Sequence, residues 1–160
     1  MTARWVDTPL DRPRWRGTLV RRLHRRLQAG VEVNPAVGEI GPQATLFLLL
    51  EGERSPGLFA GTSSDRIGAP EGEQAYYLTA TKYFDRLRVA PYASLHYSEW
   101  DSEWKMPFGV AADLGRGIVV RPMYDGERTH LTAGATRGRV TVTGLWVWLE
   151  RAGLSLTGTF

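Results

Sequence analysis

From Leu27 to Phe160 the chain alternates apolar and polar residues with a period of two, and this alternation constrains the fold more than any other feature. In the stretch around Leu27, Ala29, Val31 and Val33, the polar or small residues Gln28, Gly30, Glu32 and Asn34 fall between, until Asn34-Pro35 stops the run. The pattern recurs over 43–51, 57–63, 75–84, 87–98, 106–114, 117–124, 128–136, 139–149 and 152–160. About ten short strands with turn residues between them predict an antiparallel up-and-down β-barrel. The connections alternate in length: 35–42, 64–74 and 98–105 are longer and polar, whereas 84–87, 113–117 and 136–139 are tight. Asp125-Gly126 is a hairpin dipeptide.

A single domain is expected, the barrel over 25–160, preceded by a basic lead over 1–24. The net charge of +3 hides this division. Residues 1–28 carry eight Arg against Asp7 and Asp11, and the remainder is net acidic. Leu19, Val20, Leu23 and Leu27 stand at helical spacing among Arg21, Arg22, Arg25 and Arg26, so the lead is expected to be a short basic helix or an extended segment. A basic segment can meet phosphate, but no helix-turn-helix, zinc-finger or RNP-type pattern accompanies the charge, and no nucleic-acid partner is expected. Residues 1–30 show neither the apolar core nor the small-residue cleavage site of a secretory signal peptide.

Alternation alone does not say which face points inward. A soluble barrel encloses its apolar face and a membrane barrel exposes it. Three features favour the second sense. The polar strand positions are mostly small, among them Thr132, Thr141, Thr143, Ser155 and Thr157, and the whole chain has 2 Lys. The aromatics cluster near strand ends: Tyr76, Tyr77, Tyr97, Trp104 and Trp146 at the end with the longer loops, and Tyr83, Phe84 and Phe160 at the other, as interfacial girdles do. The charged strand residues Glu32, His96, Asp113, Arg121 and His130 share the face opposite the Leu and Val side chains, and are expected to line the lumen and pair across it.

The final segment, Ala152-Gly-Leu-Ser-Leu-Thr-Gly-Thr-Phe160, puts Leu154, Leu156 and Phe160 on one face and ends on an aromatic carboxylate. It resembles the C-terminal signature of bacterial outer-membrane β-barrel proteins. The resemblance covers about nine residues plus the whole-chain strand pattern. It implies a location in the bacterial outer membrane, contact with outer-membrane lipid, and insertion by the barrel assembly machinery.

Little in the sequence points to catalysis. There is no Cys, so thiol chemistry and Cys zinc sites are excluded. No cofactor, metal site or catalytic residue is expected. Gly61–Gly68 is rich in turn formers and lacks the order of a phosphate loop. The loop Ser98-Glu-Trp-Asp-Ser-Glu-Trp-Lys105 interleaves carboxylates with indoles, which makes Trp100, Asp101, Glu103 and Trp104 candidates for a sugar or cationic ligand at the outer face. The resulting expectation is a structural or porin-like envelope barrel, not an enzyme, with a polysaccharide-export role suggested by that loop. Two alternatives stand beside it. One is a soluble ten-stranded lipid- or ligand-binding barrel with its Leu, Val and Trp face inside. The other is a barrel lipid hydrolase acting through a histidine such as His96, with Ser94 or Ser155 near it.

Overall fold

The structure, a computed structural model, describes residues 1–9, 14–65 and 69–160. Parts of the basic lead (10–13) and of the Gly61–Gly68 segment (66–68) lie outside the described residues.

Thirteen strands are present among the described residues: β1 (Thr2–Val6), β2 (Trp15–His24), β3 (Leu27–Asn34), β4 (Glu39–Leu49), β5 (Gly57–Ser64), β6 (Gln74–Thr81), β7 (Val89–Ser98), β8 (Trp104–Lys105), β9 (Phe108–Gly115), β10 (Ile118–Tyr124), β11 (Thr129–Arg137), β12 (Val140–Val147) and β13 (Arg151–Gly158). Each pairs antiparallel with its sequence neighbour, except that β7 pairs both β8 and β9. β1 pairs β13, which closes the ring at twelve strands with β8 as a short extra piece. β8 and β9 lie along the same edge of β7 and are separated by Met106 and Pro107, where the proline has no N–H to give the ladder. The Pro107 carbonyl still accepts from Ser94 N at 2.8 Å.

The all-β barrel expected from the sequence is therefore observed, with twelve strands in the ring where about ten were expected. The difference lies in the lead. Of the two options for it, helix or extended segment, the structure takes the extended one: β1 and β2 are barrel strands. The helical spacing of Leu19, Val20, Leu23 and Leu27 does not prevail, because Leu19 and Leu23 share a face at strand period and β2 is paired on both edges. Tertiary pairing overrides a weak local period.

Successive connections alternate between the two ends of the barrel. The termini and the connections at 25–26, 50–56, 82–88, 116–117 and 138–139 form the termini end. The described parts of the β1–β2 and β5–β6 connections and the connections 35–38, 99–103, 125–128 and 148–150 form the loop end. Arg116-Gly117 illustrates the tight kind. Both residues have positive φ, 54° and 78°, the geometry of a two-residue hairpin turn whose twist matches its strands.

The faces are assigned by register and exposure. Leu154 and Leu156 are each 53% exposed, Trp146 50% and Val142 45%. Glu32, Thr45, Thr79 and Ser155, on the opposite face of their strands, are buried. The exterior is thus apolar and the interior polar, the inverse of a water-soluble barrel. Exterior aromatics gather toward the loop end, where Tyr76, Trp104, Phe108 and Trp146 are exposed and Trp5 pairs with Trp15. Tyr77 departs from the expected girdle. It faces the lumen, because it pairs with His96 and its hydroxyl meets Thr45 Oγ1 at 2.8 Å.

Candidate functional site

Side chains on the inner face have two unlike walls. On β4 to β7 the rings of Phe47, Phe59, Tyr77 and His96 form a continuous ladder, with centroid spacings of 5.9, 6.3 and 6.2 Å. Arg22 caps it over Phe47 at 5.3 Å. On β10 to β12 the inner face is small and hydroxylic. Val119, Arg121, Thr132, Gly134 and Thr143 line a cavity of about 280 Å³ there. Hydroxyls bridge neighbouring strands, as in Thr136–Thr141 at 2.8 Å and Thr2–Thr157 at 3.0 Å. Twelve strands make a ring wider than the eight that side chains just fill, so these walls leave room between them.

The charged residues concentrate toward the loop end, around a cavity of about 300 Å³ lined by Arg4, Arg16, Asp65, His96, Asp125 and His130, among others. Glu32 is fully buried on β3. It accepts from the Arg16 guanidinium and from the Ser64 hydroxyl. A buried carboxylate needs such partners. Next to it Asn34 Nδ2 donates to Glu39 Oε2 at 2.8 Å, and Gly72 N donates to Glu39 Oε1 at 2.9 Å. Ser98 Oγ donates to Asp65 Oδ2 at 2.5 Å. These bonds tie Asp65 to the end of β7 and Gly72 to the start of β4 at the loop end. Arg4 Nε is buried with no hydrogen-bond partner among the described residues.

His130 is held at both ring nitrogens. Trp148 N donates to Nδ1 at 3.4 Å, so Nε2 carries the proton and donates to Asp125 Oδ2 at 2.6 Å. Burial alone would raise the Asp125 carboxyl. The bonds from His130 and from the backbone N–H groups of Arg128 and Glu127 outweigh it and lower the pKa to about 2. A carboxyl whose folded pKa lies below its unfolded value stabilises the fold above the unfolded pKa and loses that contribution as the pH falls. The contribution is therefore complete above about pH 5 and lost progressively as the pH falls toward and below about 2. Asp125 is partly exposed, which leaves about 1–2 kcal/mol. Between pH 7 and pH 2.5 the thermal midpoint of the parent should fall further than that of Asp125→Asn. Equal shifts would show that the Asp125–His130 contact contributes nothing.

The five residues expected in the lumen all lie on inward-facing strand positions by register, but they do not form one site. Glu32, through Arg16, joins His96 and His130 at the loop-end cavity. Arg121 lines the threonine wall. Asp113 sits at the termini end, where it accepts from Arg88 at 2.8 Å and from Gly115 N at 2.7 Å. The contacts of Glu32 run to Arg16 and Ser64, and those of Asp113 to Arg88 and Gly115. Reading the lead as a separate segment hid Arg4 and Arg16. The signal was there: Arg4 and Arg16 alternate with Trp5 and Trp15 at strand period. Asp65 and Asp125 were missed because they lie in connections, where alternation says nothing.

Of the outer-loop candidates, Asp101 and Glu103 meet at Lys105 Nζ, at 2.7 and 3.8 Å. Trp104 packs on Tyr97 among the exterior aromatics, with ring centroids 5.1 Å apart. Asp101 faces inward to Lys105 Nζ at 2.7 Å, and Lys105 also reaches Glu127. Trp100 and Glu103 are exposed. Of the serines considered for hydrolysis, Ser94 has its hydroxyl 2.8 Å from Thr79 Oγ1 and 3.2 Å from the Leu78 carbonyl. No three His, Asp or Glu side chains among the described residues form a metal-binding group.

No protein-family model, curated protein or solved structure matches the chain. The class is therefore defined by geometry alone: a closed twelve-strand antiparallel barrel with an apolar exterior and a polar, partly filled interior.

Proposed function

We propose that the chain is a bilayer-spanning barrel of the bacterial outer-membrane type, acting as a structural envelope protein with a lumen narrowed by its own side chains. The observation that carries this reading is the inverted polarity of the sheet. Leu19, Leu46, Leu78, Leu95, Leu154 and Leu156 come from five strands, and all are exposed. In water, so continuous an apolar belt would drive association. In hydrocarbon it is the required surface, and closure of the ring leaves no unpaired edge for lipid to meet. Ten of the twelve ring strands have eight to eleven residues and, tilted as barrel strands are, span about 20–25 Å, the height of an outer-membrane apolar band. A soluble ligand-binding barrel would need the Leu and Trp face inside, where this chain has Glu32, Thr45 and Ser155.

The test is direct. The full chain should fractionate with membranes, and its detergent-solubilised form should migrate faster unboiled than boiled. Recovery of a monomer in buffer without detergent would overturn the proposal.

A further inference from the structure

The ring sorts charge by end, and the sorting is visible only once the strands are closed. The β2–β3 connection brings Arg21, Arg22, Arg25 and Arg26 to the termini end. Other turns add Arg54, Arg86, Arg88, Arg116, Arg137 and Arg139, and all ten are exposed. With Lys82, the termini end holds eleven basic residues against Glu51, Glu53, Asp85 and Asp113. Two of those carboxylates already have partners, Asp113 with Arg88 and Glu51 with Lys82. Arg21, Arg25, Arg26, Arg86, Arg137 and Arg139 have no carboxylate partner among the described residues. The loop end carries the acidic excess, with Glu71, Glu99, Glu103, Glu127 and Glu150 exposed there.

The basic rim lies directly on the apolar exterior. On β2, Arg21 shares its face with Leu19 and Leu23, so its stem runs over apolar surface while its guanidinium reaches outward. At the seam, Met1, Ala3, Val140, Leu156 and Phe160 enclose an exterior cleft of about 230 Å³. Arg139 borders it, its carbonyl accepting from Thr159 N at 3.0 Å. An apolar notch on an arginine-rich rim matches a molecule with an acyl chain and an anionic phosphate headgroup.

From this arrangement we infer that the termini-end rim binds the headgroups of anionic phospholipids in the bilayer the barrel spans. The inference rests on the bilayer reading above. Arg presents a planar fork that suits phosphate oxygens. Each basic residue near an anionic surface strengthens attraction about fivefold at physiological salt, and screening removes the gain within a Debye length.

Refolding from urea into two kinds of vesicle tests it, phosphatidylcholine alone and a 7:3 mixture of phosphatidylcholine with phosphatidylglycerol. Insertion is followed by the fast-migrating unboiled band. In 50 mM NaCl the parent should insert at least tenfold faster into the anionic vesicles, and 500 mM NaCl should abolish the difference. A variant carrying R21Q, R25Q and R26Q, and a second carrying R86Q, R137Q and R139Q, should each lose most of the preference. Both should enter neutral vesicles at the parent's rate. Inorganic phosphate added to neutral vesicles should not reproduce the effect; if it does, the rim is a free-phosphate site and the lipid assignment is wrong. Equal parental rates in the two vesicles, or an undiminished preference in both variants, would overturn the inference while leaving the bilayer reading intact. Failure to enter either vesicle would overturn both.

Discussion

Replacing Glu32 with Leu should destabilise the folded barrel by about 3–5 kcal/mol, the cost of stranding a buried charge. Glu32 has no exposed surface, and its carboxylate is held by Arg16 and Ser64. Removing it leaves the Arg16 guanidinium inside the barrel without its counter-charge. The Ser64 hydroxyl, at the edge of the 65–73 connection, loses its acceptor too. Glu32→Gln keeps a hydrogen-bonding group and should cost less. The sharper measurement is the double variant Arg16→Met with Glu32→Leu, which removes both charges together and should recover at least half of the loss. Urea midpoints of the refolded protein, read by heat-modifiable migration, measure all three. Additive losses in the double variant would show that the two side chains do not act as a pair.

Leu154→Lys is the second large effect, and it probes the exterior. Leu154 sits at the middle of β13 between Trp5 and Gly144 on the neighbouring strands. In a bilayer a lysine at this depth should cost about 2–4 kcal/mol. On a surface bathed in water the same change would lie within about ±0.5 kcal/mol. Depth supplies the control. Val140 is on the same face at the termini end, so Val140→Lys should cost only about 0–1 kcal/mol. Folding midpoints in vesicles should therefore separate the two variants clearly. A harmless Leu154→Lys, or one that frees the protein from detergent, would contradict a hydrocarbon exterior.

Much of the barrel was legible because its strands carry one period each. Leu154, Ser155, Leu156 and Thr157 declare both the element and its two faces. The face choice could also be read, since small hydroxylic residues suit a crowded interior better than water. The first two strands were not legible in the same way. In β2 the run Arg-Gly-Thr-Leu-Val-Arg-Arg-Leu mixes Leu19 and Leu23 with inward Val20 and outward Arg21, so helix and strand templates fit it about equally. Only pairing with β1 and β3 decides between them. The candidate site was half legible. Glu32, His96 and His130 stand out as charges at lumen phase, but their partners Arg16 and Asp125 come from the lead and from a turn. Contacts between elements distant in sequence leave no local trace in the order of residues.

The seam between β1 and β13 has a consequence for how such a ring comes into being. Met1 N donates to the Gly158 carbonyl at 2.9 Å, a contact spanning 157 positions of the chain. Every other junction in the ring joins strands that a single short connection already holds close. The seam alone must be found by diffusion of two distant segments, so it is the slowest pairing to nucleate. Until it forms, a growing sheet of this sequence presents two raw margins of unpaired N–H and C=O groups, each able to capture another copy. Assembly of this protein is thus a race between self-zipping and oligomerisation, decided at the first and last strands.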